Sequence, residues 1–274
     1  MLGELLDKWR ADLAAWAIPA HITAAVPDSP WVLPRQVFAR RADRMAREPA
    51  GASYERARKA LEPAGTVLDI GSGVGAACLP LAPYATTVTA MDTDADMLTL
   101  LAERAARAGL DLRTVCGRWP DVAARAAPAD VVTCHHVVYN VPDLWPFLTA
   151  LTSHARRRVV VELTTAHPLT SLNRLWLRFH GLRRPDGPTA ADLLAILAEA
   201  GVRAGHTEWN RPAEADYVGF AELVDVTRRR LCLPADRASD VEAALLDRGS
   251  QREQPEDLGS SGWDVVTIWW EGTA

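Results

Sequence analysis

Lysine is almost missing from this sequence. Lys8 and Lys59 are the only two, so nearly all the positive charge is arginine. With abundant alanine, this is the residue usage of a GC-rich, bacterial genome and says nothing of activity. A long apolar run is missing too. No stretch of about 18 uncharged apolar residues is present, which excludes a hydrophobic membrane-spanning helix. The opening MLGELLDKWR sets acids and Trp9 where a secretory signal would carry a basic and then an apolar segment. A soluble, cytoplasmic protein with no membrane partner is the expectation. Cysteine is sparse: Cys78, Cys116, Cys134 and Cys232 lie far apart and never approach the CxxC spacing of a zinc site or redox pair. Reduced thiols and no metal are expected. Basic charge is not in excess either, since the formal net charge of −5 gives no overall attraction to nucleic acid or anionic membrane.

What is present suits one α/β domain with additions: 274 residues, 49% of them hydrophobic, are ample for a sizeable core. Leu2, Leu5, Leu6, Trp9, Leu13 and Trp16 recur at intervals of three and four, which predicts a helix over 2–16. Four prolines break the pattern between Ile18 and Pro34, where Asp28 or Ser29 is placed to cap a new start, and a second helix is expected over 35–47. From residue 65 short β-branched runs alternate with helical segments, the texture of a parallel sheet. Strands are expected at Thr66–Ile70, Thr87–Met91, Leu112–Cys116, Asp130–Cys134, Arg158–Leu163, Val202–Trp209 and Trp263–Trp270. Helices are expected over 94–108, 142–154 and 189–200, with a helical insertion over 213–250 whose helical part ends near 247. Residues 248–262 are polar and turn-rich and read as a mobile loop. The predicted fold is α/β, a doubly wound, mostly parallel seven-stranded sheet. Residues 1–60 form an N-terminal helical cap on it, and 61–274 the remaining domain.

The sharpest feature is Val67-Leu68-Asp69-Ile70-Gly71-Ser72-Gly73-Val74-Gly75, a buried strand running into a glycine loop and then, as read here, a helix. Glycines let the chain turn sharply and let a ligand approach backbone N–H groups. As bare glycines the signal is ambiguous. Gly71, Gly73 and Ala76 also satisfy the dinucleotide pattern G-x-G-x-x-G/A, with Asp92 about where its ribose-binding acid would stand.

With Asp69 two residues before Gly71, the segment resembles the first motif of the class I S-adenosylmethionine-dependent methyltransferases. A pyrophosphate has no use for a carboxylate there, whereas a sulfonium and an ammonium do. The resemblance implies a Rossmann-like methyltransferase fold, S-adenosyl-L-methionine as cofactor, and a set of contacts: Asp69, Gly71, Ser72, Gly73 and Gly75 around the methionine part. Asp92, closing the strand Val88–Asp92, would take the two ribose hydroxyls, with Thr93 and Met97 along the adenosine. Gly117, Arg118 and Trp119 would border the adenine, although the family often has an acid where Arg118 stands. The run Ala129–Asp143 resembles the family's fourth strand and the turn after it, which places His135, His136 and Tyr139 beside the methyl donor. It lacks the (D/N)PP(Y/F) sequence of the methyltransferases of adenine amino groups and glutamine amides.

Transfer from a sulfonium is an in-line displacement needing mainly alignment and exclusion of water. If the acceptor must lose a proton, His135, His136 and Tyr139 are the candidate bases, and His135 doubles as a cofactor contact. The link Thr164–Thr189 is long enough to be a lid. A small-molecule acceptor is the leading expectation. An RNA acceptor is the alternative, because residues 35–59 hold eight basic against three acidic side chains. A catalytically silent, cofactor-binding subunit and a nicotinamide-dependent oxidoreductase are the readings of other kinds.

Overall fold

The computed structural model describes residues 1–24, 26–27, 29–31, 33–211, 217–253 and 264–274. Asp28, Trp263 and the part of the expected loop from 254 onward lie outside the described residues, as do 213–216 of the expected insertion. The chain begins with α1 (Leu2–Ala14), the short α2 (Ala20–Thr23), α3 (Arg35–Arg47) and α4 (Ala52–Ala60). Then come β1 (Gly65–Ile70), β2 (Ala85–Asp92), α5 (Ala95–Arg107), β3 (Leu112–Cys116), β4 (Ala129–His135), α6 (Leu144–His154) and β5 (Ala155–Thr164). It ends with α7 (Asn173–His180), α8 (Ala190–Glu199), β6 (Gly205–Asn210), α9 (Phe220–Arg230), α10 (Ala238–Asp247) and β7 (Asp264–Glu271).

The seven strands form one sheet in the order β3-β2-β1-β4-β5-β7-β6. All neighbours are parallel except around β7, which runs antiparallel to both β5 and β6. Side chains of a strand alternate between faces, and the central strands obey this with apolar residues on both. Val67, Val131 and Val160 pack with α4 and α5 on one face, while Leu68, Val132, Val159 and Val161 pack with α1, α6 and α8 on the other. The strand order reverses direction between β1 and β4, which opens a crevice at their carboxyl ends.

Two sequence expectations are corrected. No α-helix follows the glycine loop: residues 71–84 cross from β1 to β2 in turns and one 3-10 turn, Leu79–Leu81. Pro80 and Pro83 deny this short connection the backbone donors that a helix needs. The helical insertion is two helices, because Cys232 takes a left-handed φ of 51° and Pro234 follows it.

A second core stands beside the sheet. Ile22, Leu33 and Val37 from the N-terminal segment, Leu172, Leu175 and Trp176 from the link, and Phe220, Leu223, Val241 and Leu245 from α9 and α10 are buried together. The expected cap segment 1–60 is shared: α1 and α4 lie against the sheet layers, while Ile22, Leu33 and Val37 belong to this second core. No helix of the described residues is long and apolar enough to cross a membrane. Nor do they include a group of His, Cys, Asp or Glu side chains fit to hold a metal ion.

Candidate active site

The β1 turn needs glycine for definite reasons. Gly71 has φ 70°, and a Cβ there would meet a Val137 methyl at 2.2 Å. Gly73 has φ 51° and open space where its Cβ would be, so its backbone faces the crevice bare. Gly75, expected to touch the cofactor, does not line the cavity. A Cβ there would strike Leu101 and Leu79, so it serves the packing of the turn against α5. Asp69 is fully buried under the turn. Its Oδ1 accepts the Thr133 hydroxyl at 2.7 Å, and its Oδ2, like the Ser72 hydroxyl, is buried without a hydrogen-bond partner. Burial pushes the Asp69 carboxyl up from its ordinary value, against the opposing pull of His135 and Thr133. Unsatisfied buried polar atoms are rare and costly, and a carboxylate oxygen of this kind suits a cationic group.

Asp92 closes β2 with its carboxylate already engaged from one side: Oδ2 accepts the Gly73 N–H at 2.8 Å and Oδ1 the Asp94 N–H at 2.9 Å. Each oxygen keeps a further lone pair, and the carboxylate lines the cavity. Thr93 and Met97 lie beside it, the latter packed with Val74 and with Ala42 of α3. At the β3 turn the Gly117 N–H bonds to the Asp92 carbonyl at 2.9 Å. Arg118 is exposed at the cavity edge, and Trp119 is buried, its indole donating to the Phe147 carbonyl at 3.3 Å.

His136 follows β4 with φ 59°, a left-handed conformation uncommon for a residue with a side chain. Its own N–H, donated to the Glu162 carbonyl at 2.7 Å, holds it there. Its Nδ1 lies 2.9 Å from the Tyr139 hydroxyl, and its Nε2 lies 3.1 Å from Glu162 Oε1 and 2.7 Å from a guanidinium nitrogen of Arg211, which also donates to Glu162. Burial first, and then the neighbouring Arg211 charge, bring the His136 pKa down to about 4. Burial alone would raise Glu162, but the Arg211 guanidinium prevails and holds that carboxyl well below its usual range. His135 lines the cavity, although its Nε2 is buried without a partner.

These groups face a cavity of about 1420 Å³. Beyond the sheet turns, its walls include Trp16, Trp31, Phe38, Arg41 and Arg44 from the N-terminal segment, His167 and Leu169 from the link, Trp209 and Arg211 from the end of β6, and Arg230 of α9. His167 stacks on Trp16 with centroids 4.1 Å apart, and its pKa is brought down to about 3 by burial and then by Arg184.

Of the residues singled out from the sequence, all but Asp69 and Gly75 line this cavity. Sequence reading passed over Glu162, Thr133 and Arg211. A signal existed for Glu162, an acid inside the apolar strand Val159-Val160-Val161-Glu162-Leu163, where a buried charge must have a partner. None existed for Arg211, which meets its partners 49 and 75 residues away in sequence.

Residues 67–158 match the family described as a methyltransferase domain. A relative from Haemophilus influenzae, itself uncharacterized, is 28% identical over 211 residues, which cover 74% of this chain and 75% of the relative. In fold the chain is similar to YcgJ from Bacillus subtilis, with a TM-score of 0.52 at 17% identity, over 81% of this chain and 98% of that one. The chain carries a methyltransferase domain over residues 67–158 and is an S-adenosylmethionine-dependent methyltransferase. Its cofactor is S-adenosyl-L-methionine. The site fits that group: a bare glycine turn over a buried acid at one end of the cavity, and a strand-end acid on its wall with lone pairs left for hydroxyls.

Proposed function

We propose that this enzyme methylates a small-molecule acceptor by in-line transfer within the cavity at the strand ends. Single ligands of drug size take about 300–1,000 Å³. A cavity of about 1420 Å³, bounded on one side by the sheet turns and on the other by the second core, has room for the cofactor and one further molecule. That volume carries the reading. In it, the turn Gly71–Gly73, with Asp69 buried beneath it, borders the methionine end, Asp92 takes the ribose hydroxyls, Gly117, Arg118 and Trp119 border the adenine, and Tyr139, positioned by His136, meets the acceptor. The link from Thr164 to Thr189 contributes to the roof through His167 and Leu169.

The basic stretch that suggested RNA is largely spent within the protein. Arg35 pairs with Asp94 and Asp96, Arg40 with Glu222, and Arg58 with Glu55 and Glu62. Arg56 lies over the Trp269 ring at 3.7 Å. Side chains so engaged make a poor track for phosphates.

The test is to supply methyl-labelled cofactor with a cell extract split into a low-molecular-weight fraction and total RNA. Label should enter the first. Label recovered in intact RNA and absent from small molecules would overturn the reading.

A further inference from the structure

The rings on the acceptor side of the cavity have spent their polar atoms inside the protein. The Trp16 indole N–H is donated to the Gly187 carbonyl at 2.6 Å, and the Trp209 indole N–H to the Thr267 hydroxyl at 2.9 Å. An indole has no other polar atom, so both residues offer the cavity carbon surface alone. Trp209 is fixed further by Gly51, where a Cβ would come within 2.4 Å of its ring. Leu33, Phe38, Met45 and Leu169 extend the same lining.

The charges on this side are matched. The Arg211 guanidinium is bound to Glu162, and Arg41, Arg44 and Arg230 each have a partner within the protein. Glu48, at the end of α3, is exposed to solvent. A charged ligand would have to draw a buried partner out of its pair and leave the other member uncompensated, which is costly. An uncharged one leaves every pair intact.

Trp31 lies where this lining meets solvent. It is 50% exposed, and of the large apolar side chains exposed among the described residues it alone lines the cavity. A single exposed apolar residue is ordinary, but one that continues the carbon surface of a cavity belongs to a ligand-binding surface.

We infer that the acceptor of the reaction proposed above is a bulky, uncharged and mainly apolar molecule, held by carbon contacts with Trp16, Trp31, Phe38 and Trp209. Burial of apolar surface supplies affinity without calling on the charges of the wall. Size agrees: a cofactor at the upper end of the drug-sized range, about 1,000 Å³, still leaves room for a second molecule of that class in about 1420 Å³.

The inference rests on the small-molecule reading, and two measurements keep their failures apart. The first needs no acceptor. The whole protein with S-adenosylhomocysteine bound is titrated with N-phenyl-1-naphthylamine, which is neutral, and with 8-anilinonaphthalene-1-sulfonate, the same ring frame carrying a sulfonate. The neutral probe should bind about tenfold more tightly than the sulfonate, and Trp31→Ser should weaken it about tenfold, since a half-exposed tryptophan has apolar surface left to bury. No binding of the neutral probe, tighter binding of the sulfonate, or a Trp31→Ser affinity within about twofold of the wild type would each overturn the inference. The second measurement shakes the labelled low-molecular-weight product with octanol at neutral pH. Label should pass into the octanol. Label that stays in the water would leave the small-molecule reading standing and sink the apolar acceptor, whereas label found only in RNA would sink the reading beneath it.

Discussion

On the sheet side of the cavity every wall is a strand end followed within a few residues by its turn: Ile70 to Gly73, Asp92 to Asp94, Gly117 to Trp119. On the opposite side the wall is assembled from Trp31 and Phe38, His167 and Leu169, Arg211, and Arg230, segments far apart in sequence that the second core and its neighbours bring to one place. The first kind of wall is local and rigid, since each turn is fixed by bonds to the neighbouring strand, such as the Gly73 N–H on Asp92 and the Gly117 N–H on the Asp92 carbonyl. The second holds its shape only while a small core stays packed. A site divided this way can keep one cofactor half across many acceptors, because the parts that choose the acceptor change without disturbing the strand ends.

The largest separation of the two halves should come from emptying the second core. Trp176 is buried between α7 and its surroundings, with His180 at 4.9 Å and the Arg184 guanidinium at 5.0 Å from its ring. Trp176→Ala should remove about 3–5 kcal/mol from that core. Calorimetry should then show an early transition of the cap, transfer should be lost, and affinity for S-adenosylhomocysteine should stay within a few fold. If cofactor affinity collapses together with the cap, the two halves are not separable.

Asp92→Ala approaches the comparison from the sheet side. It removes the ribose contact and also the acceptor of the Gly73 and Asp94 N–H groups. Two charge-assisted hydrogen bonds of roughly 1.5–3 kcal/mol each make a loss of about a hundredfold or more in cofactor affinity the expected titration result. The cap transition should not move. Unchanged affinity would place the adenosine elsewhere.

The same division explains what was legible in the sequence. The sheet half was readable because its chemistry is written in contiguous residues: the alternation in β1 and β4, the acid two places before Gly71, the acid closing β2. Strand positions came within a few residues of those observed for the same reason. The helix expected after the glycine loop is absent because Pro80 and Pro83 stand in the connection behind it. Gly75 was legible as a glycine but not as to its purpose, since only the folded structure puts Leu79 and Leu101 against it. The acceptor half was mostly illegible. Neither Arg211 nor the pairing of Arg40 with Glu222 across 182 residues leaves a local trace, and nothing within the link read as a lid shows that Leu175 and Trp176 are buried with residues of α9.

Acid should weaken the protein through this illegible half. His136 and His167 are held at about 4 and about 3, below the ordinary 6.5. Both are neutral when folded at neutral pH, and above pH 6.5 the unfolded chain is neutral there too, so stability is complete. As pH falls below 6.5 the unfolded state takes up protons that the folded state refuses, and stability declines until each folded pKa is reached. Between pH 7 and pH 5 this amounts to about 2 kcal/mol for each histidine. Urea titrations at the two pH values should show the loss, and His167→Gln should remove about half of it. An unchanged slope in that variant would mean that His167 is not held neutral.

The smallest effect should come from an ion pair within the acceptor half. Arg40 of α3 meets Glu222 of α9 at 2.9 Å, and the same carboxylate accepts the Val218 N–H at 2.8 Å, so it both joins α3 to α9 and closes the start of α9. Both side chains are partly exposed, 30% and 27%, and pairs of that kind contribute about 1 kcal/mol or less. Arg40→Ala should therefore lower the cap transition slightly, while Glu222→Ala, which also removes the backbone contact, should lower it more. A double substitution no worse than Glu222→Ala alone would show that Arg40 acts through that carboxylate. If Arg40→Ala instead weakened transfer severalfold at unchanged cap stability, the arginine would belong to the acceptor wall beside Arg41 and Arg44, which line the cavity from the same helix.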